Sequence, residues 1–264
     1  MAELEALIFD VDGTISDTER DGHRIAFNRA FAEAGLEWDW SVELYHKLLT
    51  IAGGKERILY YWELFHPDFQ PEVDRWQWVG QLHQAKTRHY RDLIAGGTIP
   101  LRPGVRRLLQ EARAEGIRLA IATTSAPDNV MALLEATLGK ESPAWFEVIA
   151  AGDVVPAKKP APDIYHYVLQ QLQLSPAHCL VLEDSRQGLL AATAAGLKTV
   201  ITCSVYTQDE GFLEAALVLN HLGEPDQPFR VLAGSVGPTP CFTVDLARQL
   251  QADTPYQSQA RLIG

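Results

Sequence analysis

Two aspartates separated by one residue, Asp10 and Asp12, close the apolar run Leu7-Ile8-Phe9 and lead into Gly13 and Thr14. Paired carboxylates directly after a strand-like run suit nucleophilic and acid–base chemistry or the binding of a hard cation. An Asp-x-Asp pair also serves as a plain turn, so its meaning depends on what else the chain can bring beside it. An EF-hand loop does not fit, because its glycine belongs at the sixth position and Gly13 stands fourth from Asp10. Three further groups follow apolar runs or sit in loops: Thr123-Thr124, the Lys158-Lys159-Pro160 segment, and Glu183-Asp184. If the carboxylates converge, each like pair at about 4 Å costs roughly 4 kcal/mol at an effective dielectric near 20. A cation is therefore required. Oxygen donors with room for water and a phosphate oxygen describe magnesium rather than zinc, which favours histidine and cysteine. A lysine, a threonine hydroxyl and loop amides are suitable partners for a phosphate. With magnesium offsetting the repulsion, Asp10 is expected to attack phosphorus, giving an aspartyl-phosphate that water hydrolyses.

Such a site needs a scaffold that brings distant loops to one end. Strand-like runs at Ala6 to Phe9, Arg118 to Ala122, Val148 to Ala150, Cys179 to Leu182, Thr199 to Thr202 and Leu217 to Leu219 alternate with helical patterns. This alternation predicts an α/β fold: a Rossmann-like parallel sheet covered on both faces, with ligands beyond the carboxyl ends of the strands. Residues 16–97 interrupt the alternation and read as an all-helical insertion, a cap, after the first strand. Its first helix is predicted over Thr18 to Ala34, capped by Ser16 or Asp17 and stopped by Gly35. The insertion holds five of the six tryptophans, which are expected to form its core. Around Val79, Leu82, Tyr90 and Leu93 the pattern is amphipathic, with Lys86, Arg88 and Arg91 expected on a solvated face. The predicted organisation is thus a core of residues 1–15 and 98–222, a helical cap at 16–97 and a C-terminal extension at 223–264, with an edge strand near Phe229 to Leu232 and a helix near Asp245 to Gln251.

The bulk properties exclude several classes. A chain of 264 residues with 47% hydrophobic content has ample material for a core. A net charge of −11 argues against nucleic acid, which is held through clustered Lys and Arg. No apolar run is long enough for a membrane span, and no signal peptide is evident, so a cytoplasmic monomer without a membrane partner is expected. Cys179, Cys203 and Cys241 are widely spaced and odd in number, which favours buried free thiols over disulfides or a zinc site.

Taken together, Asp10-Val11-Asp12-Gly13-Thr14, Thr123, Lys159 and Glu183-Asp184 resemble the four successive motifs of the haloacid dehalogenase superfamily of phosphohydrolases, over about residues 4–222. The resemblance implies a cap of the C1 type and Asp10 as nucleophile. Asp12 would be the general acid/base, and Thr123 and Lys159 would bind the phosphoryl group. Mg2+ would be held by Asp10, the Asp12 backbone carbonyl and Asp184, with Glu183 nearby. Within the superfamily, Asp17-Thr18-Glu19, His23-Arg24 and Gly53-Gly54-Lys55-Glu56-Arg57 resemble the CbbY-type branch of the Calvin cycle, the xylulose-1,5-bisphosphate phosphatases that remove a Rubisco inhibitor. That likeness implies a small phosphorylated sugar as substrate. Lys55 and Arg57, beside Gly53 and Gly54, would grip the distal phosphate; Glu19, His23 and Tyr45 would lie near the sugar hydroxyls, and Thr124 and Ser125 near the substrate. A β-phosphoglucomutase-like phosphomutase shares every core motif and stays open as an alternative. A receiver-type phospho-signalling module is a third reading, disfavoured because its aspartate ends a middle strand.

Overall fold

The computed structural model describes residues 3–51, 53–71 and 73–252. Strands β1 (Ala6–Phe9), β2 (Arg118–Ala122), β3 (Phe146–Ala150), β4 (Cys179–Glu183), β5 (Lys198–Thr202), β6 (Leu217–Leu219) and β7 (Val231–Ala233) form one sheet in the order β3-β2-β1-β4-β5-β6-β7. All neighbours pair parallel except β6 and β7. The runs are continuously apolar because both faces are covered. Alternate residues divide between the two sides. Leu7, Phe9, Leu119, Ile121, Leu180 and Leu182 pack beneath α5 (Val105–Ala114), α6 (Pro127–Leu138) and α9 (Val244–Ala252). Ala6, Ile8, Ala120, Ala122 and Val181 face α7 (Asp163–Leu172) and α8 (Arg186–Ala194).

The direction of winding changes at β1. The chain leaves β1 for β2 and β3 on one side and returns to β4, β5 and β6 on the other, so a crevice opens between the carboxyl ends of β1 and β4. Register sets both ends level: Phe9 pairs with Ile121 in β2 and with Leu182 in β4. Asp10, Thr123 and Glu183 must therefore emerge close together.

Between β1 and β2 lie α1 (Arg24–Glu33), α2 (Val42–Leu48), α3 (Gly54–Phe65) and α4 (Arg75–Ala95). Neither Ser16 nor Asp17 caps the first of these. The segment opens with a π-helical turn, Glu19–His23, without a side-chain cap, because the Asp17 carboxylate is taken by Arg20 and Arg102, at 3.3 Å each. Gly35 ends α1 with φ +71°, as expected. Trp38, Trp40 and Trp62 are buried with Phe27, Phe31 and Tyr45 in a separate aromatic cluster, and Trp78 packs against it. Trp76 departs from the expected core: at the start of α4 it is 55% exposed.

Lys86 departs from the solvated face. It is 9% exposed, because α4 turns that position towards α1 and the π-helical turn. The tail is joined to the main body, with Phe229, Phe242, Val244 and Leu250 in the same core as α5 and α6. The edge strand runs over Val231–Ala233, slightly later than expected, since Phe229 points inward and its N–H donates to the Pro240 carbonyl. Residues 253–264 of the expected extension lie outside the described residues.

Candidate active site

The Asp10 N–H donates to the Leu182 carbonyl at 3.0 Å, extending the β1–β4 ladder by one step and placing the Asp10 and Glu183 side chains side by side. Lys159, from the loop between β3 and α7, reaches between them. Its Nζ donates to Asp10 Oδ1 at 2.7 Å, Glu183 Oε1 at 2.5 Å and the Ala122 carbonyl at 2.9 Å. Tyr165 of α7 donates its hydroxyl to the same Glu183 oxygen at 2.8 Å. Lys158, the alternative lysine, points away to Asp153 and the Gly152 carbonyl.

Burial dominates the electrostatics. Removal from water pushes the Asp10 carboxyl up to about 8; Lys159 works against this rise and Glu183 and Asp12 add to it. Burial likewise raises Asp184 well above the usual carboxylate range, helped by the charges of Asp10 and Glu183. Burial also opposes the charge on Lys159, yet Asp10 and Glu183 together hold its pKa well above that of a free lysine. The Lys159 ammonium thus lies between Asp10 and Glu183 while the charge of Arg102 acts on Asp184, and each of Asp10, Glu183 and Asp184 offers an oxygen within 4.8 Å of the others. That donor set is short of positive charge and consists of hard oxygens, so it fits a magnesium-type cation and is a poor site for a soft metal.

Asp12 is held apart from this cluster. Its carboxylate accepts from the hydroxyl of Thr18 on one oxygen and that of Ser125 on the other. Ser125 was expected beside the substrate; here its hydroxyl orients Asp12, and its N–H donates to Thr123 Oγ1 at 3.2 Å. Thr123 itself is fully buried beneath the loop, whereas Thr124 lines the cavity. Gly13 has φ +89°, and a Cβ there would fall on the Asp184 carboxylate. Gly13→Ala is accordingly expected to cost about 1–3 kcal/mol through overpacking and backbone strain. Because the clash lands on a candidate metal ligand, activity should fall by more than the stability loss explains. Denaturant unfolding beside phosphate release checks this.

Arg102, just after the helical insertion, is a functional residue that sequence reasoning missed. It is buried, and its guanidinium donates to the carbonyls of Gly13, Thr202 (2.7 Å), Cys203 (2.6 Å) and Asn220 (2.8 Å). One side chain thereby ties the loop after β1 to the ends of β5 and β6. Its only sequence signal is its place in the Leu101-Arg102-Pro103-Gly104 boundary, where a surface arginine is the ordinary expectation.

A cavity of about 330 Å³ lies over the cluster, between the core loops and the helical segment. Asp10, Asp12, Glu19, Lys159, Tyr206 and Glu210 are among its walls. Behind Glu19 the polar groups form a chain. The Tyr45 hydroxyl donates to Glu19 at 2.6 Å and accepts from Arg57 Nη1 at 3.0 Å. The other donors of Arg57 go to the carbonyls of Leu48 (3.0 Å) and Ile51 (3.2 Å). His23 stacks on Tyr90 with ring centroids 3.9 Å apart, and its Nδ1 meets Lys86 Nζ at 2.8 Å. Burial pulls the Lys86 ammonium down to about 8, and burial first, then Lys86, lowers His23 well below its ordinary value.

Of the residues expected on the helical side, Glu19 lines the cavity, while His23, Tyr45, Gly53, Gly54, Lys55 and Arg57 do not. Lys55 is exposed. The glycine pair has a conformational reason: Gly53 has φ +90° at the start of α3, and a Cβ on Gly54 would come within 2.7 Å of the His83 ring.

A family model described as haloacid dehalogenase-like hydrolase matches residues 4–196. The protein CbbY (plasmid) of Cupriavidus necator is 47% identical over 225 residues, covering 85% of this chain and 88% of the relative. The protein CbbY of Rhodobacter capsulatus is 51% identical over 213 residues, covering 81% and 91%. Among solved structures, a mutant CbbY from Rhodobacter sphaeroides in complex with xylulose 1,5-bisphosphate is similar with a TM-score of 0.69 and 44% identity, covering 83% of this chain and 94% of that one.

Proposed function

The chain belongs to the haloacid dehalogenase-like hydrolases and is a phosphatase acting on sugar phosphates; from that premise we propose that it hydrolyses xylulose 1,5-bisphosphate to xylulose 5-phosphate, using Mg2+ and an aspartyl-phosphate on Asp10. The observation that carries the reading is a buried cluster short of positive charge, Asp10, Glu183 and Asp184 around Lys159, at the floor of a cavity walled on its far side by Glu19. The substrate assignment is supported by the likeness to the Rhodobacter sphaeroides protein that holds this bisphosphate. A receiver module is set aside by the family match.

The roles follow from position. The ion would be held by Asp10, the Asp12 carbonyl and Asp184, with Glu183 close by, and when bound it offsets the charge between Asp10 and the incoming phosphate. An oxygen of Asp10 attacks phosphorus while the bond to the sugar oxygen breaks. Asp12, held by Thr18 and Ser125, protonates the departing oxygen. It then takes a proton from the water that attacks the aspartyl-phosphate, which returns Asp10 and releases phosphate. Lys159 holds the transferring group through charge that is kept by its two carboxylates, while Thr123, expected to share that role, is fully buried and instead accepts the Ser125 N–H that shapes the loop beneath it. Helices α1–α4 form a cap that closes over the sugar and excludes water. The Glu19–Tyr45–Arg57 chain fixes a polar wall for the hydroxyls; Lys55 and Arg57 would receive the distal phosphate only after the cap shifts, since neither lines the cavity in this arrangement.

Phosphate release from xylulose and ribulose bisphosphates, phosphoglycolate and hexose monophosphates tests the proposal. Release is expected to be fastest from xylulose 1,5-bisphosphate, to vanish in excess chelator and to return with added Mg2+. Interconversion of sugar phosphates without net phosphate release would overturn it, and a preference for phosphoglycolate would remove the distal-phosphate role of Lys55 and Arg57.

A further inference from the structure

We propose that Tyr206 docks the helical cap onto the core, and that the turn carrying it transmits that docking to Asp184. The inference rests on the cap reading above and adds a positioning residue that none of the site motifs contains.

Tyr206 lies in the loop after β5, so by sequence it is a core residue. Its ring nevertheless sits in the aromatic cluster of the cap. It meets Tyr45 edge-on at 5.8 Å and His46 at 5.6 Å, and it is 8% exposed. Val205 packs against the same cluster, and Tyr206 and Leu49 wall the same cavity. The contact is an aromatic plug from one body inserted into the other. Opening the cap must pull that ring into water, so the ring favours the closed arrangement.

The second half of the inference lies at the base of the turn. The Ser204 N–H donates to Thr207 Oγ1 at 2.9 Å, the two hydroxyls are 3.1 Å apart, and the Tyr206 N–H donates to Ser204 Oγ at 3.3 Å. This closed turn presents Tyr206 at its apex and both hydroxyls at its foot. Thr207 Oγ1 reaches Asp184 Oδ2 at 3.5 Å. Arg102 fixes the root of the turn through the Thr202 and Cys203 carbonyls. A shift at the apex therefore reaches Asp184 through Thr207, whose hydroxyl lies against the carboxylate and is tied to Ser204 in the same turn. Among the described residues the Tyr206 hydroxyl has no hydrogen-bond partner, so the coupling runs through the ring.

Three variants and four measurements test this: Tyr206→Ala, Tyr206→Phe and Thr207→Val. They are compared in amide exchange over residues 42–48, calorimetric Mg2+ affinity without substrate, hydrolysis of xylulose 1,5-bisphosphate, and hydrolysis of p-nitrophenyl phosphate, a small ester that needs no grip from the cap. For Tyr206→Ala, loss of a buried aromatic contact is expected to speed exchange about tenfold and to raise KM for the bisphosphate by a similar factor, a larger rise than for p-nitrophenyl phosphate. Mg2+ affinity should weaken about tenfold, the lower end of what loss of a group orienting a metal ligand costs. Tyr206→Phe should match the parent protein throughout. Thr207→Val should weaken Mg2+ while leaving exchange over 42–48 unchanged.

Unchanged exchange in Tyr206→Ala overturns the docking role, and unchanged Mg2+ affinity in both Tyr206→Ala and Thr207→Val overturns the link to Asp184. Equal loss on both esters means the ring is only structural. Failure of Tyr206→Phe alongside Tyr206→Ala means that the hydroxyl, not the ring, acts. If the parent protein hydrolyses neither ester, the proposed function fails, while exchange and Mg2+ affinity still decide this inference.

Discussion

Asp10→Asn is expected to lower phosphate release by about four to six orders of magnitude, as removal of a nucleophile does elsewhere, and to leave the protein folded. The amide keeps the shape of the carboxyl but cannot attack phosphorus. The fold has reason to tolerate it. Asp10 is one of three clustered buried carboxylates, and burial already pushes its carboxyl up to about 8, so a neutral isostere relieves repulsion. Lys159 retains Glu183 at 2.5 Å and the Ala122 carbonyl at 2.9 Å. Phosphate release and denaturant unfolding on the same preparation check both halves. Turnover within about tenfold of the parent would remove Asp10 as nucleophile, because no other group could replace it at so small a cost.

Lys159→Met is expected to damage both stability and activity. Its ammonium is the one cation that the described residues place against Asp10 and Glu183. Removing one partner of a buried ionic group leaves the other charges uncompensated, which costs about 3–5 kcal/mol. A methionine fills the space but neutralises nothing. Loss of a fixed positive charge at the transferring phosphoryl group should reduce kcat by a further ~10²–10³-fold. Added magnesium is expected to return part of the stability, since it would offset the same carboxylates, but not the rate. Stability unchanged to within about 1 kcal/mol without magnesium would mean that these carboxylates are protonated in the resting protein and need no partner.

Much of the core could be read directly. Each strand is a short continuous apolar run because both faces are covered, and each candidate residue at a strand end follows such a run: Asp10 after Phe9, Thr123 after Ala122, Glu183 after Leu182. The helical stop at Gly35 was legible because the positive φ it adopts favours glycine. The helical segment was less legible. Lys86 sits among polar neighbours on an amphipathic pattern, and nothing local distinguishes a solvated lysine from one turned towards His23. Trp76 carries the composition of a core residue yet lies at the exposed start of its helix. Thr18 read as the first residue of a helix capped by Ser16 or Asp17, while its hydroxyl is in fact spent on Asp12.

By itself the sequence determined the α/β class, the run of helices between the first two strands and the polar residues that stand at the strand ends, since periodicity and strand-end position are local properties of the chain. Only the tertiary structure decided who meets whom. The β1–β4 register sets Asp10 beside Glu183, and Lys159 then finds both from 149 and 24 residues away. Arg102 and Tyr206 meet loops and helices that are distant in the chain. Such contacts arise from the packing of whole elements, and no spacing within the sequence encodes them.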